Sequence, residues 1–544
     1  MSTTWIPDMP ENEMDKAVPY VPGTPEREAL LEELERQKQQ AAEIPLIIDG
    51  ESVETDDIFE VRSPHDHDTV LARSHQATEA ELQQAIESSL AAKKAWESLD
   101  PYDRAAVFYR AADLAVGPRR TELIAASMLN QSKNPLEAEI DLGELVDFWR
   151  FNAYYMKQIM DEQPKHVPGE FNRVEWRPLE GFVFAAPPFN FLAIGGNLPS
   201  APAIVGNVAL WKPSRSVLHI NYKIMEILME AGLPAGVINF VPFSSKHSDV
   251  VLDHPDLAAL SFTGSYDTLI HLWRKIGENM PSYRNFPRIV GETGGKDFIF
   301  VHPSASVAEY GASTIRGAFG YQGQKCSAAS RLYVPESHWD DFRTYLDEEL
   351  PDITTGPTED LSNFMGAVID QAAYEKITGY IEHAKSNPDD YEIMHGGDYE
   401  DSQGWFVQPT VIRAINPKGQ LMADEIFGPV LTVYAYPDDE YEETLELCDE
   451  ASTYALTGAV FARDRTAIDT AKHKLKYAAG NFYINDKPTG SIPGRQPFGG
   501  ARHSGTNDKT GFWTHLVRFM NPRSIKETHV PARDWPYPFM GGKA

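Results

Sequence analysis

The chain carries two cysteines, Cys326 and Cys448, and only the first has surroundings suited to chemistry. Cys326 lies in Gly323-Gln324-Lys325-Cys326-Ser327, among small and polar residues with a lysine beside it. A thiol poised in an electropositive loop can have a depressed pKa and act as a nucleophile. Taken alone, the residue fits a buried core thiol as well. Cys448, in Leu445-Glu-Leu447-Cys448-Asp449, fits the interior face of an amphipathic helix. Glu292 follows the apolar run Arg288–Val290 in a Gly-Glu-Thr-Gly-Gly turn. A carboxylate at a strand end among glycines suits a general base, and a plain surface turn would look the same. Asn190 follows Pro187-Pro188-Phe189 at the end of another apolar run. Its amide could donate to an oxyanion or simply make a turn. A nucleophile, a base and an oxyanion donor are the working parts of covalent catalysis at a carbonyl.

Other motifs carry less. Gly291-Glu-Thr-Gly-Gly295-Lys296-Asp297 has the wrong spacing for a phosphate loop, and Asp297 stands where a magnesium-binding hydroxyl belongs. No Gly-x-Gly-x-x-Gly follows a strand, so a nucleotide would have to bind without that fingerprint. His65-Asp-His67-Asp lacks a third and fourth ligand nearby, so it reads as a solvated loop and no metal is expected.

The elements that must hold these residues follow an α/β pattern. Thr24 can cap a helix over 24–42 whose first residue is Pro25. Thr78-x-x-Glu81 forms a capping box for a second helix with Leu82, Ile86 and Leu90 on one face. Leu46–Ile48 and Ile58–Arg62 read as hairpin strands around Asp49-Gly50. From Gly181 onward short apolar runs alternate with helices: strands at Val183–Ala186, Val208–Lys212, Val237–Val241, Ala258–Phe262 and Arg288–Val290, helices at 217–231 and 266–277. A second alternating series runs through Phe298–Val301, Arg331–Val334, Val430–Tyr434, Gly458–Phe461 and Asn481–Ile484. Such alternation predicts two α/β lobes with parallel sheets covered by helices, joined near residue 291. Segments 166–180 and 519–531 read as extra strands outside both.

Composition bounds the rest. A length of 544 residues is a prior of about three to four domains. The net charge of -31 argues against binding to a nucleic-acid backbone or to an anionic membrane. Two cysteines rule out a disulfide scaffold and suit a reducing cytosol. Met1–Asp15 has no basic start before an apolar core, so no signal peptide is expected and the location reads as cytoplasmic. Gly181 to Trp211 has no charged residue, but Pro187, Pro188, Pro199 and Pro202 would break a membrane-spanning helix.

The motifs taken together resemble the aldehyde dehydrogenase superfamily. Those that carry the likeness are Pro188-Phe-Asn190, Trp211-Lys212-Pro213-Ser214, Phe262-Thr263-Gly264-Ser265, Gly291–Lys296, Gly323–Cys326 and Glu425-Ile426-Phe427-Gly428-Pro429, in the family's order over roughly residues 40–530. Ser327, Thr489-Gly490-Ser491-Ile492, Gln496-Pro497-Phe498-Gly499-Gly500 and Ser504-Gly-Thr-Asn-Asp-Lys509 further resemble the branch that oxidises glutamate γ-semialdehyde, derived from pyrroline-5-carboxylate, to glutamate in proline catabolism.

The resemblance implies a Rossmann-like cofactor domain (1–165 with an amino-terminal arm, and 181–290) and an α/β catalytic domain (291–485). It also implies an aldehyde anchor loop (486–514) and a β oligomerisation flap (166–180 and 515–535), hence a homodimer or higher oligomer. It implies Cys326 as nucleophile, Glu292 as the base that activates water, and Asn190 with the Cys326 N–H as oxyanion donors. NAD is the implied cofactor, with Lys212 and Glu425 on its riboses, Ser265 on a phosphate and Phe427 beside the nicotinamide, and Ser214 and Gly264 are further cofactor-binding residues. Ser327, Gly490 and Ser491 would hold the substrate's α-carboxylate, and Phe191 and Phe498 would flank its methylenes. Glu144 matches a helix glutamate near the family's catalytic pocket, though an exposed helix position fits it too. Arg215 stands where many NAD-using relatives carry an acidic residue, and an arginine could tolerate a 2′-phosphate. A dehydrogenase for another carboxylate-bearing semialdehyde, or a non-catalytic structural relative, would share the same outline.

Overall fold

The computed structural model describes residues 8–541; the first seven residues, part of the segment read for targeting signals, and the last three residues lie outside the described residues. Two seven-stranded sheets organise the molecule. The first runs Arg288–Glu292, Leu257–Thr263, Phe182–Ala186, Ala209–Trp211, Ile238–Phe240, Leu46–Ile48 and Glu51–Val53. Its first five strands are parallel, and the last two close the edge antiparallel. The second runs Tyr391–His395, Thr410–Ala414, Val430–Tyr436, Ala329–Pro335, Asp297–Val301, Thr457–Phe461 and Asn481–Ile484. It is parallel except for its first strand. The inner strands are almost wholly apolar, as sheets covered on both faces require.

The uncharged stretch after Gly181 becomes a strand, a tight loop, the helix Leu192–Ile204 and a second strand, most of it buried. Among the described residues no helix is long and apolar enough to cross a membrane. Thr78 and Glu81 make the capping box. Glu170–Pro178 pairs antiparallel with Met520–Thr528 as a separate two-stranded ribbon.

Two local expectations are corrected. Leu46–Ile48 pairs across Asp49-Gly50 with Glu51–Val53, and Ile58–Ser63 instead pairs with Asp66–His75. Asp49 and Gly50 both have positive φ (55° and 76°), so the turn is a tight two-residue one that leaves no room for a longer connection. His65 is fully buried rather than solvated: its Nδ1 lies 2.9 Å from Ser132 Oγ and its Nε2 2.9 Å from Glu359.

One buried ion pair ties the site's scaffold together. The long helix Pro135–Asp161 presents Asp141, whose carboxylate accepts the Leu192 and Ala193 N–H groups at 2.8 and 2.9 Å and pairs with Lys133. Those two N–H groups open the helix that follows the Asn190 loop, where an anionic acceptor is most favourable. The Lys133 ammonium lies 4.5 Å from the ring centres of both Phe191 and Tyr321. Burial pushes the Asp141 carboxyl up and the Lys133 ammonium down, and each partner opposes the other's shift. Asp141→Ala is expected to cost about 3–5 kcal/mol, because it strands a buried ammonium. Thermal unfolding measures this, and a Lys133→Met/Asp141→Leu double variant should recover the part due to the stranded ammonium but not the part due to the Leu192 and Ala193 N–H groups left without their acceptor.

Candidate active site

Cys326 lies where two cavities meet. The nucleophile loop begins with Tyr321 and Gln322, both left-handed at φ 52° and 55°, a costly conformation for residues with a Cβ. Gln322 holds it by donating through Nε2 to the Ser132 and Ala367 carbonyls at 2.7 and 2.8 Å. Gln324 fixes the next turn by accepting the Ile369 N–H at 2.9 Å. Gly323 follows at φ 65°, where a Cβ would lie 2.2 Å from the Gly428 carbonyl oxygen.

The smaller cavity, about 80 Å³, brings Cys326, Ser327, Glu292, Gly490 and Ser491 together, with Phe191 and Phe498 on its walls. Gly490 has φ 83°, so glycine suits a loop that turns its backbone inward there. Glu144 lines the same cavity and is no exposed helix residue; burial pushes its carboxyl up to about 8. Burial likewise pushes Glu292 up to about 8, opposed by the Gly500 N–H, which donates to its Oε2 at 3.1 Å. Among the described residues its Oε1 has no hydrogen-bond partner. A buried carboxyl whose pKa falls near neutrality, with one oxygen free, is suited to proton transfer.

The electropositive loop expected around Cys326 is absent. Lys325 is held by Glu137, 2.7 Å away on the helix Pro135–Asp161. Burial, then Asp297, Glu425, Glu292 and Glu144, push the thiol well above its ordinary range. That direction favours the neutral thiol, so attack by this sulfur would require the loss of its proton. Cys448 is buried in the helix Tyr441–Glu450, as its sequence context predicts.

The larger cavity, about 480 Å³, is lined by Asn190, Ser214, Gly264, Ser265, Glu425 and Phe427. Asn190 donates to the Gln324 carbonyl at 3.1 Å, which fixes its amide next to the nucleophile loop. Ser265 caps the helix Tyr266–Glu278. The start of a helix facing a cavity suits a phosphate group. Glu425 accepts the Gly295 N–H at 3.0 Å and closes one side. Room for a long ligand, a helix start and a carboxylate able to take ribose hydroxyls fit a dinucleotide. Lys212 is not brought into the lining; its ammonium lies over Phe243, 5.3 Å from the ring centre. Arg215 lies outside it too, stacked 4.0 Å from the ring centre of Phe59.

Sequence reasoning did not find Gln322 or the Lys133–Asp141 pair. Nothing in the local pattern marks either, because the groups they hold are remote in sequence.

Paired cavities joined at a cysteine, with a buried glutamate on one side and a helix start on the other, define an aldehyde-oxidising dehydrogenase. The chain belongs to the aldehyde dehydrogenase family, whose model matches residues 51–525. It is 48% identical over 524 residues to the mitochondrial delta-1-pyrroline-5-carboxylate dehydrogenase of Bos taurus, covering 96% of this chain and 93% of the relative. The Homo sapiens protein of the same name is 47% identical with the same coverage. The crystal structure of the Mycobacterium tuberculosis delta-pyrroline-5-carboxylate dehydrogenase bound with NAD superposes with a TM-score of 0.95 at 47% identity, covering 99% of this chain and 100% of that one.

Proposed function

We propose that the chain oxidises L-glutamate γ-semialdehyde, the opened form of Δ1-pyrroline-5-carboxylate, to L-glutamate with NAD as oxidant, the second step of proline catabolism. The observation that carries this reading is the smaller cavity. It holds the Cys326 thiol together with the Ser327 hydroxyl and the Gly490–Ser491 backbone, donors suited to a carboxylate without a buried arginine. The donors hold the α-carboxylate while Phe191 and Phe498 flank the methylenes.

The Cys326 sulfur bonds to the aldehyde carbon, the carbonyl π pair moves to the oxygen, and the thiol proton passes to solvent. The new oxyanion is held by the Asn190 amide and the Cys326 N–H. NAD, when bound by Ser214, Gly264, Ser265, Glu425 and Phe427, would supply the acceptor for the substrate's hydride. A thioester on Cys326 remains. Glu292 takes a proton from water, the hydroxide adds to the thioester carbonyl, and the thiolate leaves with glutamate released.

Comparing kcat/KM for pyrroline-5-carboxylate with that for propanal and hexanal tests the substrate. The semialdehyde should win by at least about 100-fold, since carboxylate donors left unpaired are costly. Equal values would remove the assignment and favour an unspecialised aldehyde dehydrogenase. Assembly into a homodimer or higher oligomer through the ribbon Glu170–Pro178/Met520–Thr528 belongs to the same proposal, as does a cytoplasmic location, which rests on two unpaired cysteines.

A further inference from the structure

The family model begins at residue 51, yet one wall of the smaller cavity comes from well before it. Met14, half-buried, lines the same cavity as Cys326, Gly490 and Ser491. It sits in a single helical turn, Glu13–Lys16, fastened on two sides.

On one side lies the long helix Pro135–Asp161. Asp147 accepts the Glu13 N–H at 2.6 Å, the Met14 N–H at 3.5 Å and the Asn12 amide at 3.0 Å. Glu13 bridges Arg120 and Arg150 at 3.4 and 3.2 Å. Tyr20 donates to Glu139 at 2.6 Å. Gly143 provides the seat: a Cβ there would lie 2.9 Å from both the nitrogen and the Cα of Met14. On the other side lies the loop that carries Gly490 and Ser491. The same Asn12 amide donates to the Pro493 carbonyl at 2.8 Å, and Asp15 pairs with Arg495.

Building on the proposed substrate, we infer that the amino-terminal arm is a latch that closes the semialdehyde cavity, and that Met14 sets the length of aldehyde the cavity accepts. The arm bridges two elements that line the cavity, the helix bearing Glu144 and the loop bearing Gly490 and Ser491, so it fixes their separation. The Met14 thioether fills the side against which a longer chain would have to bulge. With the aldehyde carbon held at Cys326 and the carboxylate at Gly490–Ser491, one extra methylene has to bulge against the walls between them, of which Met14 is one.

The test uses the full-length protein and two linear ω-oxo acids, glutarate semialdehyde and adipate semialdehyde. Both lack the amine and so cannot close to a cyclic imine, and the second is longer by one methylene. In Met14→Ala, the preference for adipate semialdehyde over glutarate semialdehyde, read as a ratio of kcat/KM values, should rise about ten-fold, the usual worth of one methylene in an apolar pocket. Gly143→Ala keeps the helix, because alanine is the better helix former, and pushes the arm off its seat. It should raise the KM for glutarate semialdehyde about ten-fold and leave the KM for NAD unchanged. An unchanged length ratio in Met14→Ala, or a KM for NAD that moves in step with that for the aldehyde in Gly143→Ala, overturns the latch. Wild-type protein inactive on both ω-oxo acids and on pyrroline-5-carboxylate would instead overturn the proposed substrate. If Met14→Ala does not fold, Arg495→Met, which cuts the tie to the anchor loop, replaces it with the same expected rise in the length ratio.

Discussion

Cys326→Ala is expected to remove semialdehyde oxidation almost completely, with kcat lower by at least about 10⁴-fold, while NAD still binds. The magnitude follows from the site. No other thiol is available, since Cys448 is buried in a helix of the second lobe. Removing the sulfur leaves only donors that can bind the aldehyde, and without a tetrahedral adduct its carbon-bound hydrogen cannot leave as hydride. The dinucleotide cavity touches Cys326 at its inner end only, so titration with NAD should give the wild-type affinity. Retained full turnover would place the chemistry elsewhere.

Glu292→Gln is expected to separate the two halves of the reaction. A single burst of NADH equal to the enzyme concentration should appear, followed by turnover slower by about 10²–10⁴-fold, the range for loss of a positioned base. Glutamine keeps the shape and can still meet the Gly500 N–H through its oxygen, so folding should survive. The pH dependence supplies an independent check. A base works as the carboxylate, and burial lifts this one to about 8. Wild-type steady-state turnover should therefore climb from neutrality and level off above about 8, and the glutamine variant should lose that limb. The same shift bears on stability with the opposite sense. The protonated form is the one burial favours, so the contribution is complete below the ordinary value of 4.5 and is lost as pH rises through about 8.

Much of this site could be read from short segments because each lies at the end of a strand, where local sequence fixes both the turn and the direction of its side chain. The Asn190 loop follows Phe182–Ala186, and Glu292 ends Arg288–Glu292. The substrate-side residues Ser327, Gly490, Ser491, Phe191 and Phe498 are brought to one cavity by loops whose glycines and prolines are visible in the chain. Sequence reading failed where a residue's partner lies far away. Lys325 looks like a source of positive potential until Glu137 neutralises it from another helix. Lys133 and Asp141 carry no local mark in the sequence, yet they are the buried tie between the Asn190 and Cys326 loops. The hairpin at Asp49-Gly50 failed for a different reason: two runs compete for one turn, and only the tertiary sheet decides which of them pairs across it.

The -31 charge is compatible with a site that takes an anionic substrate through a hydroxyl and backbone N–H groups rather than through a cationic patch. What makes the surface so acidic has no counterpart in the site.

In the proposed mechanism glutamate γ-semialdehyde becomes a thioester on Cys326. Acid-quenching Glu292→Gln after mixing with pyrroline-5-carboxylate and NAD, followed by peptide mass spectrometry, tests it most directly. The expected result is a γ-glutamyl adduct on the peptide that contains Cys326, formed in step with the NADH burst. NADH production with that peptide left unmodified would contradict it.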